Sequence, residues 1–174
     1  MKRSFSRFII GLLSFLGFLS ASAEENSSLQ VKKWLNISFA SHSTGELLLD
    51  VFRPNDSKKR PVVLCLHGGF WAKGSKKFMH PLADGLVEKG YVAVCSNYRL
   101  TDVAPAPAQL HDVISAIHFL RENASDYGID SGKIGVTGSS AGGYLAVMAA
   151  VFDSGDKRTR PNAAVGMEIG RAHV

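Results

Sequence analysis

Hydrophobic and polar positions divide the chain into a first part of strand character and a second part in which strands and helices alternate. Residues 29–39 and 45–52 are rich in aliphatic and aromatic side chains, and the short polar turn between them predicts a β-hairpin. Residues 62–66 and 91–95 are continuous apolar runs, which are typical of strands buried on both faces of a sheet.

Two segments carry apolar residues at every third or fourth position, which predicts helices over residues 76–89 and 107–123. A third segment, residues 140–152, is rich in Ala, Leu and Met and is also predicted to be a helix. Strands are predicted at 133–137 and, as the beginning of another unit, at 162–167. Strands that alternate with helices indicate an α/β fold with a mostly parallel central sheet and helices on its faces. The leading hairpin adds antiparallel strands at one edge.

Composition changes this picture little. A chain of 174 residues fits one domain. The formal net charge is +5, but residues 24–167 contain 16 Lys and Arg against 14 Asp and Glu. No basic face or basic-aromatic alternation indicates nucleic acid, so we expect no nucleic-acid partner.

The first 23 residues are typical of a secretory signal peptide. Lys2, Arg3 and Arg7 precede an apolar run over residues 8–19, and small residues lead to a cleavage position after Ala23. A membrane anchor is the alternative, but the run is shorter than the roughly 20 residues that a spanning helix needs. We therefore expect a secreted or periplasmic protein without a stable membrane anchor after cleavage.

Cys65 and Cys95 each lie inside an apolar strand. An exported protein could pair them. Because a disulfide between neighbouring strands of one sheet requires awkward geometry, the sequence favours two buried thiols that pack as small hydrophobic side chains.

The strongest chemical motif is Gly138-Ser139-Ser140-Ala141-Gly142, between a predicted strand and a predicted helix. In that context a Gly-x-Ser-x-Gly pattern predicts a tight turn that raises the central serine above the sheet edge as a nucleophile. The helix N-terminus then faces the negative charge that develops during acyl transfer. The alternative is a serine that only caps the helix.

A second motif, His67-Gly68-Gly69-Phe70-Trp71, follows the strand at 62–66. Glycines there allow backbone N–H groups to approach a substrate carbonyl, so we expect Gly68, Gly69 and Phe70, together with the Ala141 N–H, to form an oxyanion hole. Gly68 is expected to make the turn, with Gly69 and Phe70 as donors. His67 is predicted to hold the loop by hydrogen bonds or to be a partly buried histidine.

These motifs resemble those of the lipase- and esterase-like α/β-hydrolases with an oxyanion motif of the His-Gly-Gly type, nearest to the feruloyl- and acetyl-esterase-like (BD-FAE-like) group. The similarity runs roughly from residue 51 to 152 and includes Asn97-Tyr98-Arg99-Leu100, residues 105–112 and Tyr127-Gly128-Ile129-Asp130. It implies an α/β-hydrolase fold and hydrolysis of carboxylic esters through Ser140, without a metal or other cofactor. One departure is Phe70, where many relatives have a third glycine, which is expected to narrow the pocket mouth.

In this fold the acid and the histidine of the triad follow the nucleophile along the chain. We therefore interpret His67 and Asp112, which precede Ser140, as structural, and we expect the triad acid and histidine not to be present in this chain. The downstream candidates, which include Asp153 and His173, do not lie at strand ends of the needed kind. The fold is expected to be incomplete at the C-terminus, with residues 24–167 as the first part of one domain.

The last seven residues, 168–174, can be back-translated into a sequence that resembles a widely used sequencing adapter. We therefore expect His173 and its neighbours not to belong to the natural protein. A stop codon directly after Val174 at the source locus would contradict this hypothesis. The 174-residue fragment itself is expected to be inactive or nearly so.

Three functions stay open on the sequence. The first is a serine carboxylesterase acting on small acyl or aryl esters, including those that decorate plant polysaccharides. The second is a serine peptidase on the same fold, although such relatives usually carry a large aromatic residue where Ser139 stands. The third is a non-catalytic binding protein that kept the fold.

Overall fold

The computed structural model describes residues 30–167. The predicted signal peptide and residues 168–174 therefore lie outside the described residues. One six-stranded sheet organises the chain, with the strand order β1-β2-β4-β3-β5-β6. The strands are β1 (Val31–His42), β2 (Gly45–Pro54), β3 (Arg60–Leu66), β4 (Val92–Ser96), β5 (Ile129–Ser139) and β6 (Ala163–Met167).

The sheet is mixed in the way that the sequence predicts. β1 pairs antiparallel with β2, and β2 pairs antiparallel with β4, so the hairpin lies at one edge. β4, β3, β5 and β6 are parallel. The predicted mostly parallel sheet with an antiparallel N-terminal hairpin is confirmed.

Helices cover both faces of this sheet. The helices are α1 (His80–Glu88), α2 (Ala108–Glu122) and α3 (Ala141–Val151), with short 3₁₀ turns at Lys76–Met79 and Lys157–Thr159. α1 packs on one face, with Ala83 and Val87 against Phe52, Cys65 and Cys95. The larger core lies on the opposite face, where α2 and α3 pack against alternate residues of the central strands.

Two predicted boundaries differ from the structure for identifiable reasons. The single helix predicted over 76–89 is a 3₁₀ turn followed by α1, with Pro81 in the first turn of α1. Proline has no N–H to donate to the carbonyl of Lys77, so a continuous α-helix cannot pass this point. The strand predicted at 133–137 begins earlier, at Ile129, which pairs with Arg60. Polar Asp130, Ser131 and Gly132 are typical of a turn and conceal this extension.

The two cysteines pack as predicted. Cys65 and Cys95 are directly opposite each other on β3 and β4, both are fully buried, and both are free thiols. The hydrogen bond with the neighbouring Cys65 thiol, together with burial, raises the pKa of Cys95, so this thiol stays protonated.

Strand β3 marks the place where the direction of winding reverses, because β4 lies on one side of it and β5 on the other. In open α/β sheets, ligands bind outside the carboxyl ends of the strands at such a switch point. The loop after β3 and the turn after β5 meet there. Among the helices that the structure describes, none combines the length and apolar composition that a bilayer crossing requires.

Candidate active site

Ser140 lies in the turn between β5 and α3 and has φ 51° and ψ −115°. Non-glycine residues rarely adopt positive φ, and such a conformation costs on the order of 1–3 kcal/mol unless the surroundings impose it. A serine with positive φ on a sharp turn from strand to helix is typical of the turn called a nucleophile elbow.

The glycines of the motif make this turn possible. A Cβ added to Gly138 would lie 2.4 Å from the backbone carbon of Gly142, and one added to Gly142 would lie 2.3 Å from the carbonyl oxygen of Leu66. Both distances are far below van der Waals contact, and the atoms concerned are backbone atoms that cannot rotate away. The two glycines therefore allow β5, α3 and the end of β3 to approach closely enough to form the elbow.

The helix N-terminus behind Ser140 is open to an anion. Ser140 occupies the N-cap position of α3, yet its side chain makes no capping hydrogen bond, and the first turn contains no acidic residue. The alternative interpretation of Ser140 as a simple cap is therefore not what the structure shows. Ala141, buried at the first helical position, presents its N–H at the positive end of the helix dipole.

The Ser140 backbone N–H donates to the carbonyl of Met167 on β6, with an N···O distance of 2.8 Å. Gly143 packs on the same residue, because a Cβ there would lie 3.0 Å from the Met167 carbonyl oxygen. β6 therefore fixes the elbow from its outer side.

Residues 67–75 form the loop after β3, which is called the oxyanion loop below after the role that the sequence predicts for it. Three consecutive residues have positive φ, namely Gly69 at 119°, Phe70 at 56° and Trp71 at 60°. Gly68 is a loop residue that lies close to Ser140, since a Cβ on it would lie 3.3 Å from the Ser140 Cβ and 2.9 Å from the Ser139 carbonyl oxygen. Its lack of a side chain leaves space beside Ser140.

His67 is a structural part of this loop. Its ring is 1% exposed and stacks on Tyr98 with ring centroids 4.3 Å apart, while Gly74 packs on its edge. The Nδ1–H donates to the Gly68 carbonyl at 2.8 Å, and burial lowers the pKa of His67, so the ring is neutral near pH 7. Because its Nδ1–H is hydrogen-bonded to the Gly68 carbonyl, His67 holds the loop in place, as the sequence predicts.

Tyr98 also anchors the start of the loop, because its hydroxyl donates to the His67 carbonyl at 2.8 Å. Tyr98→Phe keeps the stacked ring but leaves this buried carbonyl without its donor. We expect the free energy of unfolding to fall by about 1–2 kcal/mol. Denaturant unfolding of the variant measures this, with Tyr91→Phe, at a more exposed tyrosine, as the control that should stay within about 0.5 kcal/mol of the parent.

The middle of the oxyanion loop is held less tightly. The Trp71 ring packs edge-on against Tyr144 of α3, with ring centroids 5.6 Å apart. The backbone carbonyl of Trp71 accepts the Thr101 N–H at 2.9 Å. The Phe70 side chain is 77% exposed. The side chain of Phe70 therefore points into solvent. The sequence-based expectation that Phe70 narrows the mouth of the pocket is not what the structure shows.

A groove of about 540 Å³ runs along the oxyanion loop next to the elbow. It is lined by Gly68, Gly69, Lys73, Gly74, Phe78, Met79 and Ser139. The sequence-predicted residues Gly68 and Gly69 thus share one surface with Ser139, the residue before Ser140, whereas Phe70 does not line this groove. A mostly apolar groove that extends to Ser139 can hold the acyl or alcohol part of an ester.

Two carboxylates that precede the nucleophile have structural partners. Asp112 is 1% exposed and accepts hydrogen bonds from the Arg99 guanidinium and backbone N–H, which supports its structural interpretation. Asp50 on β2 is equally buried and binds Lys76. Sequence reasoning missed the second pair, whose only signal is an aspartate within the apolar run of a strand. Within residues 30–167, no three His, Cys, Asp or Glu side chains come together as a metal site would require.

Comparison with known proteins agrees with this geometry. The BD-FAE family model matches residues 49–167. Esterase LipQ of Mycobacterium tuberculosis is 39% identical over 110 residues, which cover 61% of this chain and 26% of that protein. Neutral cholesterol ester hydrolase 1 of Rattus norvegicus is 40% identical over 99 residues, covering 54% of this chain and 24% of the relative. The chain thus spans about a quarter of the length of these curated relatives.

Solved structures give the same result. A thermophilic esterase from Thermogutta terrifontis superposes with a TM-score of 0.65 at 25% identity, covering 80% of this chain and 52% of the other. A truncated carbohydrate esterase from gut microbiota gives a TM-score of 0.62 at 33% identity, covering 69% and 43% of the two chains. With the family match over more than half of its residues, the chain belongs to the BD-FAE family, in the esterase-like group of the α/β-hydrolases.

Proposed function

We propose that the protein to which this chain belongs is a serine carboxylesterase that hydrolyses small acyl or aryl esters through an acyl-enzyme on Ser140. The observation that carries the proposal is the strained Ser140 at an uncapped helix N-terminus, with Gly68 of the oxyanion loop directly beside it. The esterases among its relatives support the reaction class.

The proposed reaction follows from this arrangement. The Ser140 hydroxyl attacks the ester carbonyl and loses its proton to a histidine base, and the alcohol leaves as the acyl-enzyme forms. The Ala141 N–H and the N–H groups of Gly69 and Phe70 stabilise the negative oxygen of the tetrahedral intermediate. Water then attacks the acyl group and releases the acid.

Neither the base nor the acid that orients it is assigned to a residue of this chain. His67 holds its Nδ1 proton on Gly68, and the buried Asp112 carboxylate is engaged by Arg99. We propose that both groups come from residues that follow this chain in the gene product. The proposed site of action is outside the cytoplasm, on the strength of residues 1–23.

The test compares the full gene product, cloned from its source locus, with the 174-residue chain. We expect the full gene product to hydrolyse p-nitrophenyl acetate with a burst of p-nitrophenolate that equals the enzyme concentration, and the 174-residue chain to give neither burst nor turnover. Methyl ferulate and a panel of acyl lengths then define the acyl preference. Absence of turnover on every ester, from a folded full gene product, would overturn the proposal; esterase-like turnover by the 174-residue chain would overturn the assignment of base and acid.

A further inference from the structure

The oxyanion loop needs support from outside because its own conformation is strained. Phe70 and Trp71 are consecutive non-glycine residues at positive φ, a backbone conformation that is strained for residues with a side chain. Within the loop, the N–H groups of Ala72 and Lys73 both donate to the Gly69 carbonyl at 3.1 Å. These bonds close a tight turn, but they do not fix its position relative to Ser140.

The two ends of the loop are held by neighbouring residues of one segment. At the start, Tyr98 stacks on His67 and donates to its carbonyl. At the end, the side-chain oxygen of Asn97 accepts the backbone N–H of Lys76 at 2.8 Å. Because Asn97 and Tyr98 directly follow β4, both ends of the loop are attached to the central sheet.

Lys76 carries a second and stronger attachment. Its ammonium group donates to the Asp50 carboxylate at 2.5 Å and to the side-chain oxygen of Asn36 at 2.9 Å. Lys76 is 4% exposed and Asp50 is 1% exposed. Lysine is rarely buried to this extent unless it is paired, because burial removes the water that hydrates its charge.

The Asp50 carboxylate joins four elements. Besides Lys76, it accepts the Asn36 backbone N–H at 2.8 Å, and the His80 Nε2 at the start of α1 lies 2.9 Å from it. Asn36 has φ 58° at a β-bulge of β1, where a left-handed asparagine directs its N–H onto the carboxylate. Burial acts to raise the pKa of Asp50, but the hydrogen bonds from Lys76, Asn36 and His80 outweigh it and hold that pKa below its ordinary value.

A buried ion pair is weak evidence for stability, because an apolar pair of the same shape is often as stable. Its directional hydrogen bonds, however, fix one geometry. We infer that Lys76 and Asp50 form a positioning pair, which fixes the end of the oxyanion loop so that its N–H groups point at the substrate carbonyl oxygen. This inference rests on the proposed function. Neither residue is a catalytic residue, because neither lines the elbow or contacts Ser140.

Lys76→Met removes the attachment and keeps the length of the side chain. Because it leaves Asp50 buried without its main partner, the double variant Asp50→Asn/Lys76→Met is made beside it, so that no unpaired charge remains. Lys77→Met, at the exposed neighbour, is the matched control. All variants are made in the full gene product, and kcat is expressed per active site titrated by the p-nitrophenolate burst.

We expect kcat per titrated site to fall about 10- to 100-fold in both Lys76 variants, with KM changed less than about threefold, because loss of one oxyanion donor costs roughly 100- to 1,000-fold in kcat. Lys77→Met should equal the parent. A purely structural role predicts fewer titratable sites with unchanged kcat at each, and a kcat per site within twofold of the parent in the double variant would overturn the inference.

Amide hydrogen exchange gives an answer that does not depend on catalysis. In the double variant, residues 68–73 should exchange at least about tenfold faster while the strands β3 to β5 keep their protection. Unchanged exchange in the loop would overturn the positioning role even if the parent proved to be an active esterase. A parent without any burst would instead contradict the proposed function, and exchange would still decide whether Lys76 holds the loop.

Discussion

Ser140→Ala is expected to lower kcat of the full gene product on p-nitrophenyl acetate by at least about 10⁴-fold, to the residual rate that an oxyanion hole alone supports. The variant removes the side-chain oxygen of Ser140, whose φ is 51°, and leaves the surrounding glycines unchanged. KM should change little, and the burst of p-nitrophenolate should disappear. Stopped-flow and steady-state kinetics on one preparation measure all three quantities.

Ser131→Ala is the matched control for this substitution. Ser131 is an exposed serine near the start of β5, at the other end of the strand from Ser140. We expect its activity to stay within about tenfold of the parent. Tandem mass spectrometry of the acid-quenched acyl-enzyme should locate the acetyl group on Ser140. An acetyl group on another residue, or a Ser140→Ala variant with parental kcat, would disprove the role of Ser140.

Gly142→Ala is expected to be strongly destabilising, with a loss of about 3 kcal/mol or more in the free energy of unfolding. The new methyl group would lie 2.3 Å from the Leu66 carbonyl oxygen and 2.5 Å from that of His67. Both are backbone atoms of the strand end that carries the oxyanion loop, so α3 must move away from β3. Denaturant unfolding, or loss of soluble protein, measures the effect.

Gly85→Ala tests the same chemical change where there is space. Gly85 lies within α1, and nothing comes within 4 Å of an added Cβ. Alanine is the better helix former, so this variant should gain about 0.5–1 kcal/mol. If Gly142→Ala were as stable as the parent, the close approach of α3 to β3 would be wrong.

The fold follows from sequence pattern to a large extent. Continuous apolar runs identify β3 and β4, helical periodicity identifies α2, and the hairpin is visible in its polar turn. The elbow and the oxyanion loop are equally visible, because steric demands at Gly138 and Gly142 leave a pattern of small residues. Steric requirements of this kind select residue types within a few consecutive positions, so they can be recognised without knowledge of the rest of the chain.

The Lys76–Asp50 pair could not be found in this way. The two residues lie 26 positions apart, and they meet because β2 pairs with β4 and the 3₁₀ turn begins beside that pair. The third partner, Asn36, depends on a bulge in β1 that no short pattern specifies. Relations that arise from register and strand order appear only once the sheet is assembled.

The contact between β6 and the elbow has a consequence for how this protein can change in evolution. Met167 binds Ser140 and supports Gly143 through its backbone atoms. Exchange of the side chain at position 167 therefore leaves the contact intact, whereas one inserted or deleted residue inside β6 would bring a different peptide group into contact with Ser140. Length variation is expected to accumulate in residues 152–162, which connect α3 to β6, and to be absent from the strand itself.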